Sequence, residues 1–218
     1  EICACLVGSE MCIRDRGIIQ NNDLDRYNFS VRNTTSMLND KLTMDLSFMY
    51  SNVKEQNMLS QGEYANPLVP VYLFPRGDDF SKYQYYERYD VDRNIKTQFW
   101  PLKENGLSMQ NPYWITNRNM YTNKKDRFLA SGSLKYTITD WLNVSGRVKL
   151  DKETINSEKK MYASTLNVIA ENSDKGAYVQ SNKNTSQIYA DAMLNINKYF
   201  YHDTWNPVSY THLRAHET

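Results

Sequence analysis

The sequence predicts an all-β fold of antiparallel strands from the wall of a transmembrane β-barrel, and three observations predict it. Apolar and polar residues alternate at period two in five separate segments, the pattern of a strand with one apolar and one polar face. The connections between these segments are short and long in turn, as in outer-membrane barrels with short periplasmic turns and long extracellular loops. The chain carries 17 Tyr and 4 Trp at a net charge of +1, and strands favour aromatic residues.

In chain order, the first alternating segment sets Tyr27, Phe29 and Val31 against Asn28, Ser30 and Arg32. After a turn-like Leu38-Asn39-Asp40, Leu42, Met44, Leu46, Phe48 and Tyr50 oppose Lys41, Thr43, Asp45 and Ser47. The third runs from Phe128 through Ala130, Gly132, Leu134 and Tyr136 to Ile138, with Ser131, Ser133, Lys135 and Thr137 between. Thr139-Asp140 then turns the chain into Leu142, Val144, Gly146, Val148 and Leu150, against Asn143, Ser145, Arg147 and Lys149. The last sets Ile188, Ala190, Ala192, Leu194 and Ile196 against Gln187, Asp191, Asn195 and Asn197; Leu129, Tyr189 and Met193 break the polar face. Val53 to Asp126, roughly seventy residues, separates the second segment from the third. A structureless loop of that size is uncommon in a compact domain.

Each alternating segment has the length of about 9–11 residues that a tilted strand needs to cross the hydrocarbon layer. In lipid every backbone group must be paired within the protein, so spanning strands must close into a barrel. The apolar face then meets lipid and the polar face lines a wet lumen. Trp141 and Tyr27 stand at strand ends, where aromatic rings favour the membrane interface. A soluble antiparallel sheet with one buried face gives the same alternation. A secreted carbohydrate-binding β-sandwich is therefore the alternative from a different class, and a non-transporting barrel adhesin is a second.

Other classes find little support. Mixed charges near neutrality lack the basic stripe of a nucleic-acid binder. Mean hydropathy is −0.71, and no run of about 18 apolar residues suggests a membrane helix. Residues 6–16, LVGSEMCIRDR, resemble one reading frame of a transposase-type sequencing adapter, and residues 208–218, VSYTHLRAHET, resemble its complementary strand. Segments 1–16 and 207–218 are therefore set aside as adapter-like, leaving 17–206 as an expected internal piece of a longer barrel. With them go all three cysteines, Cys3, Cys5 and Cys12, and His212 and His216. His202 alone remains, so no cysteine–histidine metal site or catalytic pair is expected, and no cofactor.

The remaining sequence resembles the SusC/RagA family of TonB-dependent outer-membrane transporters. The likeness rests on GIIQNNDLDRYNFS (17–30), NPLVPVYLFPRG (66–77), NPYW (111–114) and DWLNVSGR (140–147), in that order, and covers nearly all of Gly17 to Phe200. It implies a plug inside a barrel of about 22 strands, of which about five are present, in the outer membrane of a Gram-negative cell. It also implies a SusD-like surface lipoprotein as a lid and energy from the TonB complex acting on the plug. The cargo would be an oligosaccharide or a peptide, and the work transport rather than catalysis. Such a piece is not expected to transport alone.

Loop aromatics are the candidate ligand-binding residues: Trp100, Tyr113, Trp114 and Tyr86, the last in a cluster with Tyr83, Tyr85 and Tyr89. Aromatic faces stack on sugars while their polar handles bond hydroxyls. The same rings are better suited to packing the long loop into a small core or meeting the lipoprotein lid. Asp90-Val91-Asp92-Arg93-Asn94 starts like a calcium loop. It has Ile95 where the Gly belongs and Pro101 where the Glu belongs, so no metal is assigned. Asp78-Asp79, or Glu87 with Asp90, lack the fixed separation across a cleft that paired glycosidase acids need, and no catalytic residue is assigned.

Overall fold

The computed structural model describes residues 3–58, 62–100, 109–197 and 208–211, the first three and last four of these by backbone alone. The strands are β1 Cys3–Arg16, β2 Asp23–Met37, β3 Leu42–Gln56, β4 Glu87–Asp90, β5 Ile95–Gln98, β6 Asn119–Thr139, β7 Leu142–Met161, β8 Ala177–Ile196 and β9 Val208–Thr211. Two helices, α1 Leu68–Tyr72 and α2 Pro112–Arg118, flank a 3₁₀ turn at Phe80–Gln84. The fold is all-β. One seven-stranded sheet takes the order β1-β2-β3-β6-β7-β8-β9 with every neighbour antiparallel, and β4 and β5 form a separate hairpin. All five alternating segments lie inside β2, β3, β6, β7 and β8.

The two ends of the sheet differ. At one end β2 and β3 are joined by residues 38–41, and β6 and β7 by Asp140 and Trp141. Leu38, Asn39 and Asp40 all take positive φ there, a conformation Asn and Asp tolerate better than most. At the other end stand turn 17–22, loop 162–176 and the insertion 57–118, which holds both helices and the small hairpin. The long insertion is thus a folded cap. The segments resembling adapter sequence form edge strands. β1 pairs with β2 along its whole length, yet Leu6, Val7 and Met11 on it are exposed.

β6, β7 and β8 have 21, 20 and 20 residues, about twice the alternating stretch and on the order of 65–70 Å long. Their loop-end halves are polar on both faces and are held by cross-strand pairs. Lys125 meets Glu153 at 2.6 Å, Ser157 donates to Asn123 at 3.0 Å, and the Tyr178 hydroxyl donates to Glu158 at 2.8 Å.

Register gathers the apolar residues of five strands onto one face. Val31, Phe48, Ala130, Leu150 and Ile188 stand in one row, and Leu42, Tyr136, Val144 and Leu194 in another toward the turns. Phe48 makes an edge contact with Phe128 at 4.9 Å. From Leu42 to Tyr50 the band spans roughly 27 Å along the strand. Its loop-end limit is Tyr27 on β2, Tyr50 and Phe128 one row inward on β3 and β6, then Leu150 and Ile188 a further row inward on β7 and β8. Two rows, about 14 Å, over four strand spacings, about 19 Å, incline that limit to the strands' normal by roughly 35°. Leu46, Leu134 and Val148 in the band are 46%, 47% and 54% exposed, so no other part of the described chain covers it.

Candidate functional site

The buried core of the described chain lies in the cap. Trp114, Asn111, Gln110, Thr165 and Ala170 are almost fully buried, with Tyr83, Trp100, Met109 and Ile115 close behind. Asn111 starts α2 by accepting a bond from the Tyr113 amide at 2.9 Å, with Pro112 at the first helical position. Asn is a preferred residue there because its side chain takes an otherwise unpaired amide. Its amide nitrogen also donates to the carbonyls of Tyr83 at 2.9 Å and Phe99 at 3.1 Å. A single buried side chain therefore ties the helix to the 3₁₀ turn and to the strand leading into Trp100.

Loop 162–176 closes on the same core. Trp114 Nε1 donates to Thr165 Oγ1 at 3.0 Å, and Thr165 Oγ1 donates to Asn119 Oδ1 at 2.8 Å. The Gln98 amide bonds Ser164 Oγ at 3.0 Å, Leu166 N donates to Gln110 Oε1 at 3.1 Å, and Arg93 reaches the Asp174 carbonyl at 3.0 Å. Arg118 clasps Glu87 through Nε at 2.8 Å and a terminal nitrogen at 2.6 Å, and lies over the Tyr162 ring at 4.8 Å. Lys96 takes the other Glu87 oxygen at 2.5 Å. Burial pushes the Glu87 carboxyl up, but the bonds from Lys96 and Arg118 outweigh it and hold its pKa below the usual carboxylate value.

The sequence-nominated aromatics have separate places in this cap. Trp114 presents no surface to solvent, and Trp100 is 8% exposed with Tyr83 edge-on at 5.5 Å. Tyr113 is half-buried beside Phe80 at 5.7 Å, and Tyr86 is half-buried with its carbonyl taken by the Phe99 amide. Tyr85 and Tyr89 stay exposed. Phe74 joins the Phe80–Tyr113 pair to the Tyr83–Trp100 pair in one aromatic cluster, while Trp114 is held by Thr165 and Tyr86 takes no part in the cluster's ring contacts.

The acidic candidates are engaged structurally. Asp90 closes the β4–β5 turn by accepting from the amides of Asp92 and Arg93. Asp79 caps the 3₁₀ turn through Ser81, and the Tyr83 hydroxyl donates to Asp78 at 2.6 Å. That bond, with one from the Asp79 amide, lowers the Asp78 pKa. Among the described residues no three His, Cys, Asp or Glu side chains converge as a metal site. Pro101, His202, His212 and His216 lie outside the described residues.

Sequence reasoning missed a cavity of about 760 Å³ where the cap meets the sheet. It is bounded by turn 17–22, residues 57 and 58 just past β3, residues 65–67, α2, the start of β6, the end of β7 and loop 162–176. Its residues are scattered over the chain, so no local pattern marks them. Three asparagines frame it. Asn57 receives the Asn22 side chain at 3.1 Å and accepts from the Tyr121 amide at 2.8 Å, and Asn21 donates to the Thr116 carbonyl at 3.1 Å.

No protein-family model matches this chain, and no curated protein matches it. The fold therefore defines the class by itself: an antiparallel β protein with an apolar sheet face that no described residue covers and a folded cap at one end of its strands.

Proposed function

We propose that this chain is part of the barrel wall and outer cap of a TonB-dependent outer-membrane importer of the SusC/RagA kind. Its cargo is an oligosaccharide or a peptide, its lid a SusD-like lipoprotein, and its energy comes through a plug contacted by the TonB complex. The observation that carries the reading is the apolar band, which runs across five strands and is covered by none of the described residues. Its inclination of roughly 35° falls within the strand tilt of about 35–45° in membrane barrels. A soluble sandwich would bury that face against a second sheet. Polar-face pairs such as Arg32–Asp45 and Arg147–Asp191 suit a wet lumen, and strand halves polar on both faces suit a wall that rises above the lipid. The role is transport, with no bond made or broken.

The test is to sequence the source locus outward through both ends of this segment. A plug-coding region upstream, further alternating strands downstream and an adjacent lipoprotein gene support the importer. A secretion signal and a stop codon bracketing only these strands leave no closed barrel, and the binding sandwich replaces it.

A further inference from the structure

We infer that the cavity beneath the cap binds an oligopeptide by taking up an apolar side chain, which makes the cargo peptide rather than glycan. The inference rests on the importer reading only in treating the ligand as cargo. The volume, about 760 Å³, lies within the roughly 300–1,000 Å³ of ligand pockets. Its walls include Met58, Met120 and Met161 with Ile19, Ile115 and Val168. Methionine thioethers are flexible and polarizable, and line surfaces that accept varied apolar side chains. A sugar site needs flat aromatic faces, whereas among the described residues the one aromatic wall here is Tyr121.

The polar groups narrow the class further. Lys159 and Glu171 both line the cavity, so charges of both signs are on hand for a zwitterionic ligand. A fatty acid would be served by the cation alone. Asn119 is a fixed part of the wall. An indole N–H can only donate, so Trp114 uses the Thr165 hydroxyl as its acceptor, and that hydroxyl spends its proton on Asn119 Oδ1. The amide is thereby oriented, and its buried Nδ2 has no partner among the described residues. Nδ2 is sealed from solvent as well as unpaired, so Asn119 stiffens the cavity wall rather than reaching the ligand.

The test uses the complete protein read from the source locus, reconstituted in phospholipid vesicles and titrated calorimetrically with trileucine, maltotriose and decanoate. Saturable trileucine binding is expected, at least tenfold weaker in Val168→Trp, which fills the cavity from an exposed loop position, and in Met58→Lys. Near-UV circular dichroism confirms that each variant is folded. Binding of maltotriose or decanoate in place of trileucine overturns the peptide assignment. So does trileucine binding that both variants leave unchanged, or no binding by a folded, inserted chain. Protease protection in the same vesicles tests the importer separately: trileucine binding without insertion upholds the pocket and removes the barrel.

Discussion

Truncating Trp114 to alanine should release the cap while leaving the sheet paired. The ring is completely buried, and its Nε1 bonds Thr165 at 3.0 Å. Removing a buried aromatic of this size costs about 3–5 kcal/mol, and the lost hydrogen bond contributes about 1 kcal/mol of that order. Cap opening should then become more frequent by roughly two to three and a half orders of magnitude. Amide hydrogen exchange on the full chain in detergent reads this directly. Residues 109–118 and 162–170 should lose protection by that factor, while the β3–β6 ladder between Leu42–Tyr50 and Phe128–Tyr136 changes little. Trp114→Phe, which keeps most of the ring, should fall between. An exchange rise below threefold would show that Trp114 does not organise the cap. An equal rise in cap and sheet would show that the cap is no separate cooperative unit.

Three further outcomes are expected. Asn111→Asp retains the α2 cap but cannot donate to the Tyr83 and Phe99 carbonyls, so it should destabilise the cap by about 2–3 kcal/mol, nearly as much as Asn111→Ala, in denaturant titration followed by tyrosine fluorescence. Gly176→Ala should open loop 162–176 to proteolysis, because φ is +86° and a Cβ would lie 2.2 Å from the Met161 carbonyl oxygen. The Glu87 carboxyl is lowered in the folded state, so its contribution is full above its unfolded pKa, near 4.3, and is lost as pH falls through the folded value. Lys96 is 60% exposed, which weakens its share, so Glu87→Gln should cost about 1–2 kcal/mol at pH 7 and flatten the acid limb of cap stability. An unchanged acid limb in Glu87→Gln would assign the pH dependence to other carboxyls.

Period two made the turn-end halves of the strands legible, because there one face is apolar and the other is not. The same test is blind beyond Tyr50, Phe128, Leu150 and Ile188, where both faces are polar. Strand structure there depends on matched partners such as Lys125 with Glu153 and Tyr178 with Glu158, which no contrast along one strand reveals. The insertion 57–118 was legible as long but not as folded. Its core uses Gln110, Asn111 and Thr165, polar residues that single-sequence reading assigns to loops, and they are buried only because each meets a partner distant in the chain. The aromatic candidates illustrate the same limit. Sequence marks Trp100, Tyr113, Trp114 and Tyr86 alike, whereas packing separates buried Trp114 and Trp100 from half-buried Tyr113 and Tyr86. The cavity requires seven segments at once.

The apolar band is the centre of the account, and a nitroxide scan of β3, made in the complete protein read from the source locus and reconstituted in phospholipid vesicles, tests it most directly. Labels at single introduced cysteines, with the native cysteines replaced, are read for collision with oxygen and with a water-soluble nickel chelate. Oxygen accessibility should peak at positions 42, 44, 46, 48 and 50, with the chelate favoured at 43, 45 and 47 and at every position beyond 51. A matching scan of β7 should place the boundary after Leu150, one row nearer the turns. Chelate access at both parities throughout Leu42–Tyr50, or protection of the apolar positions from oxygen and chelate alike, would contradict a lipid-facing band and return the sheet to a soluble sandwich.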